Sequence, residues 1–211
     1  MSALSEIKIS KPTYDDVIPS TGVKVKLTPF RVGDEKTLLI AGQSENIREM
    51  TNALKSVIGN CVSPVDVNKL APYDLEYLFL KLRAKSVGEF STIGVGCVEC
   101  GAMNEIKVNL EAVIVEKNEN HTDFIKIEDT LGFKMKNVDV DEMIGIDVED
   151  VDSLMDLIVM SVKEVYYGEE VIQIEEGDRQ ELKELVESMT SSQFEKLKDY
   201  FDTMPRLKKD I

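Results

Sequence analysis

Between positions 22 and 30, apolar and polar residues alternate: Val23, Val25 and Leu27 fall on one side, Lys24 and Lys26 on the other. That is the pattern of a half-buried strand. The turn-forming run Pro19–Gly22 precedes it, and the short alternating segment Ile7–Ile9 is its expected partner, giving a two-stranded ribbon closed by a long connection. The period then becomes helical. Asp34 is placed to cap a short helix carrying Leu38, Leu39 and Ile40. Ser44 opens a longer helix with Ile47, Met50, Leu54, Val57 and Ile58 on one stripe and a stop at Gly59 and Asn60. After the break at Pro64, Tyr73–Lys85 reads as a third helix, capped near Asp74, with Leu75, Leu78, Phe79 and Leu82 inward.

From Gly88 the period returns to two. Phe90–Gly96 and Met103–Leu110 read as strands joined by the turn Cys97–Gly101, and Ala112–Val115, Phe124–Ile127 and Leu131–Met135 are further strand candidates. Val151–Val165 carries Leu154, Met155, Leu157, Ile158, Val162 and Val165 at helical spacing and is expected to be one core helix. Tyr166–Ile174 forms a short hairpin or a loop. Two helices close the chain, Arg179–Met189 and one opened by a capping box from Ser192 to Glu195 and ended by Pro205. The expected architecture is α+β. It has an N-terminal β-ribbon and helices over 1–87, a small β-rich insert with a CxxC turn over 88–136, and an acidic, helical C-terminal part over 137–211. The last part either packs with 1–87 as one body that the insert interrupts, or all three form one continuous domain.

Charge changes this picture by region. The 211 residues include 25 Lys and Arg against 40 Asp and Glu, a formal charge of −15. Met1–Leu110 carries 13 of each sign and Arg179–Ile211 seven of each, so Glu111–Asp178, with 20 acidic and five basic residues, accounts for the whole imbalance. Such a surface repels phosphate backbones and anionic lipid, which argues against nucleic acid and membranes as partners. The most apolar stretch, Leu154–Val162, is interrupted by Asp156 and Ser161 and is far shorter than the ~20 residues of a membrane span. Three cysteines make no disulfide framework, and the opening residues lack a basic start and an apolar signal core. A reducing cytoplasm is the expected compartment.

The chemistry-bearing motifs are few. Cys97 and Cys100, with Gly101 after them, form one knuckle of a zinc ribbon, which is half of the four-ligand site that structural zinc needs. Three readings stay open: a metal-free turn; a zinc site completed by Cys61, His121, a carboxylate or another subunit; and a redox pair, weakened because strands flank the motif on both sides. Cys61 alone reads as a small buried hydrophobe. The acidic run 137–145 fails as a calcium loop, since Glu142 stands where glycine is required and Val148 where the bidentate glutamate belongs. It reads as a solvated acidic face. Gly94 and Gly96 lack the third glycine of a dinucleotide loop. With His121 as the only histidine and no carboxylate pair marked out, no catalytic residue is expected. Lys81, Arg83 and Lys85 gather at a helix C-terminus, favoured there by the macrodipole or engaged with carboxylates. Of nine methionines, Met143, Met155, Met160, Met189 and Met204 lie in the last third, and Phe194, Tyr200, Phe201 and Met204 cluster at the end, as core or as a protein-binding edge.

The blocks Pro19–Phe30, Glu35–Ala41 and Tyr73–Glu89, in that order, resemble the baseplate hub assembly proteins of T-even-type bacteriophages. The Cys97/Cys100 turn and the closing Phe201–Pro205 are similar as well. The resemblance implies a non-enzymatic late protein that helps the central hub of a contractile-tail baseplate to assemble in the host cytoplasm, with hub or tape-measure proteins as partners. It brings no catalytic residue, and no cofactor is expected other than zinc at Cys97 and Cys100 if that half-site is completed. Alternatives are a structural subunit kept in the virion baseplate and a zinc-ribbon-like module built on Cys97 and Cys100.

Overall fold

The computed structural model describes residues 9–44, 46–144, 146 and 150–208. In the first of two units, Met1–Ile114 with Leu207–Ile211, strand β1 (Tyr14–Val17) pairs antiparallel with β2 (Lys24–Leu27), Tyr14 facing Leu27. The Ile18–Val23 connection is closed by the Ile18 N–H donating to the Val23 carbonyl at 2.9 Å and the Gly22 N–H to the Ile18 carbonyl at 2.7 Å, with Gly22 at φ 70°. In the hairpin, β2 is therefore paired with Tyr14–Val17, in the place where Ile7–Ile9 was expected. Ile7 and Lys8 lie outside the described residues, and Ile9 is exposed. A tight hairpin closes with less loss of chain entropy than the long connection expected from alternation alone. Val25 and Leu27 are buried as the pattern required, while Val23 falls in the turn and is exposed.

Helices α1 (Val32–Gly42) and α2 (Ile47–Cys61) follow, then β3 (Val62–Ser63), which adds to β2, and α3 (Pro72–Ser86). The caps sit slightly apart from the expected positions. Asp34 and Asp74 are the third residues of their helices and accept from the preceding Arg31 and Ala71 N–H groups at 2.8 and 3.2 Å. Asn46 rather than Ser44 caps α2, accepting from Arg48 and Glu49. Val57, Ile58, Leu75, Leu78 and Leu82 meet in the core where α2 packs on α3, but Ile47 and Met50 at the start of α2 are exposed. Strands β4 (Phe90–Gly96) and β5 (Met103–Asn109) form a separate two-stranded hairpin.

The second unit, Val115–Arg206, takes up most of β6 (Ile114–Glu116), then β7 (Phe124–Lys126), β8 (Leu131–Met135), α4 (Val140–Met143) and α5 (Val151–Ser161). It continues with β9 (Val162–Tyr167), β10 (Glu170–Gln173), α6 (Arg179–Glu187) and α7 (Ser191–Asp202), before β11 (Arg206–Lys208). Its sheet runs β10-β9-β8-β7, antiparallel throughout. The expected helix Val151–Val165 is thus cut at Ser161, and Val162 and Val165 belong to β9. Val162, Val165, Tyr166 and Tyr167 suit a strand, β9 finds a strand on each side, and that pairing outweighs the helical spacing. Thr190 rather than Ser192 caps α7: its N–H donates to Gln193 Oε1 at 2.8 Å and its hydroxyl accepts from the Gln193 N–H at 3.3 Å. Phe133, Ile158, Val162, Leu182, Val186, Leu197 and Tyr200 form this unit's core. Gly132 is required for the close approach of Phe124, since a Cβ there would fall 2.5 Å from the ring's Cζ. The fold is α+β, and the strands between 88 and 136 are divided between the two units.

Candidate functional site

The cysteine motif stands at the tip of the β4–β5 hairpin. The Gly101 N–H donates to the Cys97 carbonyl at 2.8 Å and the Cys97 N–H to the Ala102 carbonyl at 2.9 Å, with Gly101 at φ 69°. Backbone N–H groups of Cys100 and Glu99, with the Cys100 thiol, hold the Cys97 thiol below its ordinary pKa. Cys61 is the opposite case, pushed up by burial and then by the charge of Asp34. All three thiols are free. Among the described residues, no group of three or more His, Cys, Asp or Glu is placed to hold a metal. Thiolate character and access govern alkylation. Mass mapping after brief iodoacetamide treatment should find Cys97 modified before Cys100 and Cys61 last; Cys61 reacting first would contradict this assignment.

The hairpin carrying this turn is exposed along most of its length. Directly paired residues share a face, so Ile93, Ile106, Val95 and Val108 form one apolar side, with Ile93 and Val95 exposed. On the other side Met103 lies against Gly94, and Lys107 Nζ sits 4.4 Å from the Phe90 ring centroid. A two-stranded hairpin alone in water is marginal. Further apolar side chains stand open to solvent on α1 and α2: Leu39, Ile40, Ile47 and Met50.

The Lys81–Arg83–Lys85 cluster has an internal use. Lys81 is buried and donates to the Glu111 and Val113 carbonyls at 2.6 and 3.3 Å. Lys85 lies 2.8 Å from Glu111 Oε1, which raises its pKa, and 4.9 Å from the Tyr14 ring centroid. Arg83, for which a helix-end role and a carboxylate partner were both open, has its Nη1 buried without a hydrogen-bond partner among the described residues. Nearby, the Tyr77 hydroxyl donates to Asp16 Oδ1 at 3.1 Å, and burial, then the Asp16 charge, push the phenol up to about 12. These contacts tie α3 to β1 and to the segment after β5.

In the second unit, a cleft of about 340 Å³ opens between β7 and α7, lined by Phe124, Lys126, Lys196, Asp199, Tyr200 and Thr203. Its amines are already engaged, Lys126 with Asp129 and Lys196 with the Ile127 carbonyl, each at 2.8 Å. His121 stacks on Tyr200 at 5.0 Å and its Nδ1 lies 3.0 Å from Thr203 Oγ1. The Thr203 hydroxyl donates to the Asp199 carbonyl at 2.7 Å, so its oxygen accepts from Nδ1–H. Burial lowers the His121 pKa against the opposing charge of Asp123. A depressed folded-state pKa gives stability that is full above the ordinary value of ~6.5 and lost as pH falls through the folded value. Denaturation midpoints measured from ~pH 7 to ~pH 5 should fall less steeply for His121→Asn than for the unmodified chain; identical slopes would contradict the role given to this imidazole.

Of the closing aromatic cluster, Tyr200 is core, with Phe194, Phe201 and Met204 packed against it. Among the described residues of the acidic middle, Glu119, Glu169, Glu170 and Glu176 are exposed. No described helix is long and apolar enough to cross a membrane.

No curated protein and no solved structure matches the chain. The family model described as T4 bacteriophage base plate protein matches residues 11–211, nearly the whole sequence and both units. The chain belongs to the T4-type bacteriophage base plate protein family.

Proposed function

We propose that this chain is a non-enzymatic assembly chaperone of the baseplate hub, acting in the host cytoplasm on hub or tape-measure proteins. The carrying observation is the combination of open apolar side chains on three separate elements, α1, α2 and the β4–β5 hairpin, with an unbalanced acidic region. Exposed apolar groups bind surfaces that are buried in the finished assembly, while the acidic region steers basic partners and discourages self-association. Capture of phage proteins from infected cells by tagged chain tests this. Neutralising Glu119, Glu169, Glu170 and Glu176 to Gln should weaken capture several-fold more than neutralising Glu35, Glu49, Glu99 and Glu105. Equal losses would reduce the acidic region to a solubilising surface. The family's description as a base plate protein favours a second reading, a subunit retained in the virion at fixed copy number. Zinc bound at Cys97 and Cys100 would in either case take its remaining ligands from another molecule.

A further inference from the structure

Helix α6 and the edge strand β10 enclose a groove of about 250 Å³ in the second unit. Val165, Ile172 and Ile174 form one wall, Leu182 and Leu185 the other, and Asp178 and Glu181 complete the lining. Val165 and Leu182 are core residues, so the groove floor is continuous with the core, whereas Ile172 is 46% and Leu185 37% exposed. The ions in this lining are both carboxylates. Neighbouring cations are committed elsewhere: Arg179 to Glu142 at 3.2 Å, Lys183 to Asp156 at 2.6 Å and Lys163 to Glu164 at 3.3 Å.

We propose that this groove receives a short segment of a partner protein in which apolar side chains are flanked by Lys or Arg. The proposal rests on the reading of the chain as an assembly protein and names the segment it would hold. Apolar side chains of the segment settle between Ile172 and Leu185, removing both from water, and its cations meet Asp178 and Glu181. A neutral or acidic segment would desolvate two carboxylates without compensation. A second copy of this chain is the wrong occupant on the same grounds, because it brings a further formal charge of −15.

The test uses the full chain and a fluorescent synthetic peptide in which leucine alternates with lysine, followed by anisotropy, with a leucine–glutamate peptide as comparison. The lysine peptide should bind and the glutamate peptide should not. Replacing Ile172→Thr together with Leu185→Gln should weaken binding about tenfold, as should Glu181→Lys alone. Both apolar positions are solvent-exposed, and the replacements suit a strand and a helix, so circular dichroism should remain unchanged. Glu187→Lys makes the same charge change on a different face of α6, about 200° round from Leu185, and should weaken binding less than about threefold. Equal weakening by Glu187→Lys, or no effect of the Ile172 and Leu185 pair, would overturn the groove as the site. So would a self-association in sedimentation that this pair abolishes, since it makes a second copy the occupant. Capture from infected cells separates this from the broader reading: an unmodified chain that recovers no phage structural protein defeats the assembly role. A groove variant that recovers them as well as the unmodified chain defeats the groove alone.

Discussion

Phe133→Ala should lower the free energy of unfolding by about 3–5 kcal/mol, the cost of removing a fully buried aromatic side chain. Phe133 is wholly buried on β8, directly between Ile125 of β7 and Val165 of β9, in the cluster that includes Ile158 and Leu197. Strands flank it on both sides, so the surroundings have little room to collapse into the space. Since domains are stable by only about 5–15 kcal/mol, such a loss should be plain in urea denaturation followed by far-ultraviolet circular dichroism. Phe133→Leu, which keeps most of the volume, should cost clearly less. Val171→Ala on the exposed edge strand should cost under about 1 kcal/mol. A loss below about 1 kcal/mol for Phe133→Ala would contradict this residue's place at the centre of the second core.

Asp74→Ala should cost about 2–4 kcal/mol, because it strands backbone donors away from water. Asp74 is fully buried; its Oδ1 accepts from the Ser20 N–H at 2.9 Å and its Oδ2 from the Ala71 N–H at 3.2 Å. One carboxylate thereby joins the start of α3 to the turn between β1 and β2. Asp74→Asn keeps the shape but offers one acceptor where two are needed, and turns its amide hydrogens toward a backbone N–H. It should therefore lose nearly as much as alanine in the same denaturation experiment. An asparagine variant as stable as the unmodified chain would show that one of the two contacts contributes nothing.

Periodicity located most of the elements because each presents one apolar face at a single period. The stripe on α3, with Leu75, Leu78 and Leu82, and the alternation of Val25 and Leu27 both emerge buried. Where the two periods overlap, the reading failed. Val151–Val165 satisfies helical spacing throughout, yet neighbouring strands claim its last four residues for β9, a decision made by residues distant in sequence. The ribbon partner failed differently: Asp15 and Asp16 break the apolar alternation of β1, and hairpin geometry rather than hydrophobicity selects that segment. Caps were found within two or three residues, since several side chains at each helix start can accept a backbone N–H.

The candidate site was legible only in part. The CxxC turn between two strands follows directly from the glycine after the second cysteine and the change of period on either side. The basic cluster was visible, but its partners were not, since the carbonyls of Glu111 and Val113 that hold Lys81 come from a segment about thirty residues away. The α6–β10 groove could not be read at all. Ile172, Ile174, Leu182 and Leu185 each look like ordinary core positions, and only the packing of α6 against the sheet shows which remain open.

Membership in the base plate family fixes the setting, and the remaining question is whether this chain helps the baseplate form or stays in it. Open apolar groups on the isolated chain fit a transient contact and a permanent interface alike, so the fate of the protein has to be measured directly. Quantitative mass spectrometry of affinity-captured assembly intermediates and of purified virions from the same infection addresses this most directly. Hub or tape-measure proteins should appear in the captured intermediates, and this chain should be missing from virions or present well below one copy per hub. A fixed whole-number copy per virion, or intermediates that contain no phage structural protein, would contradict the chaperone reading.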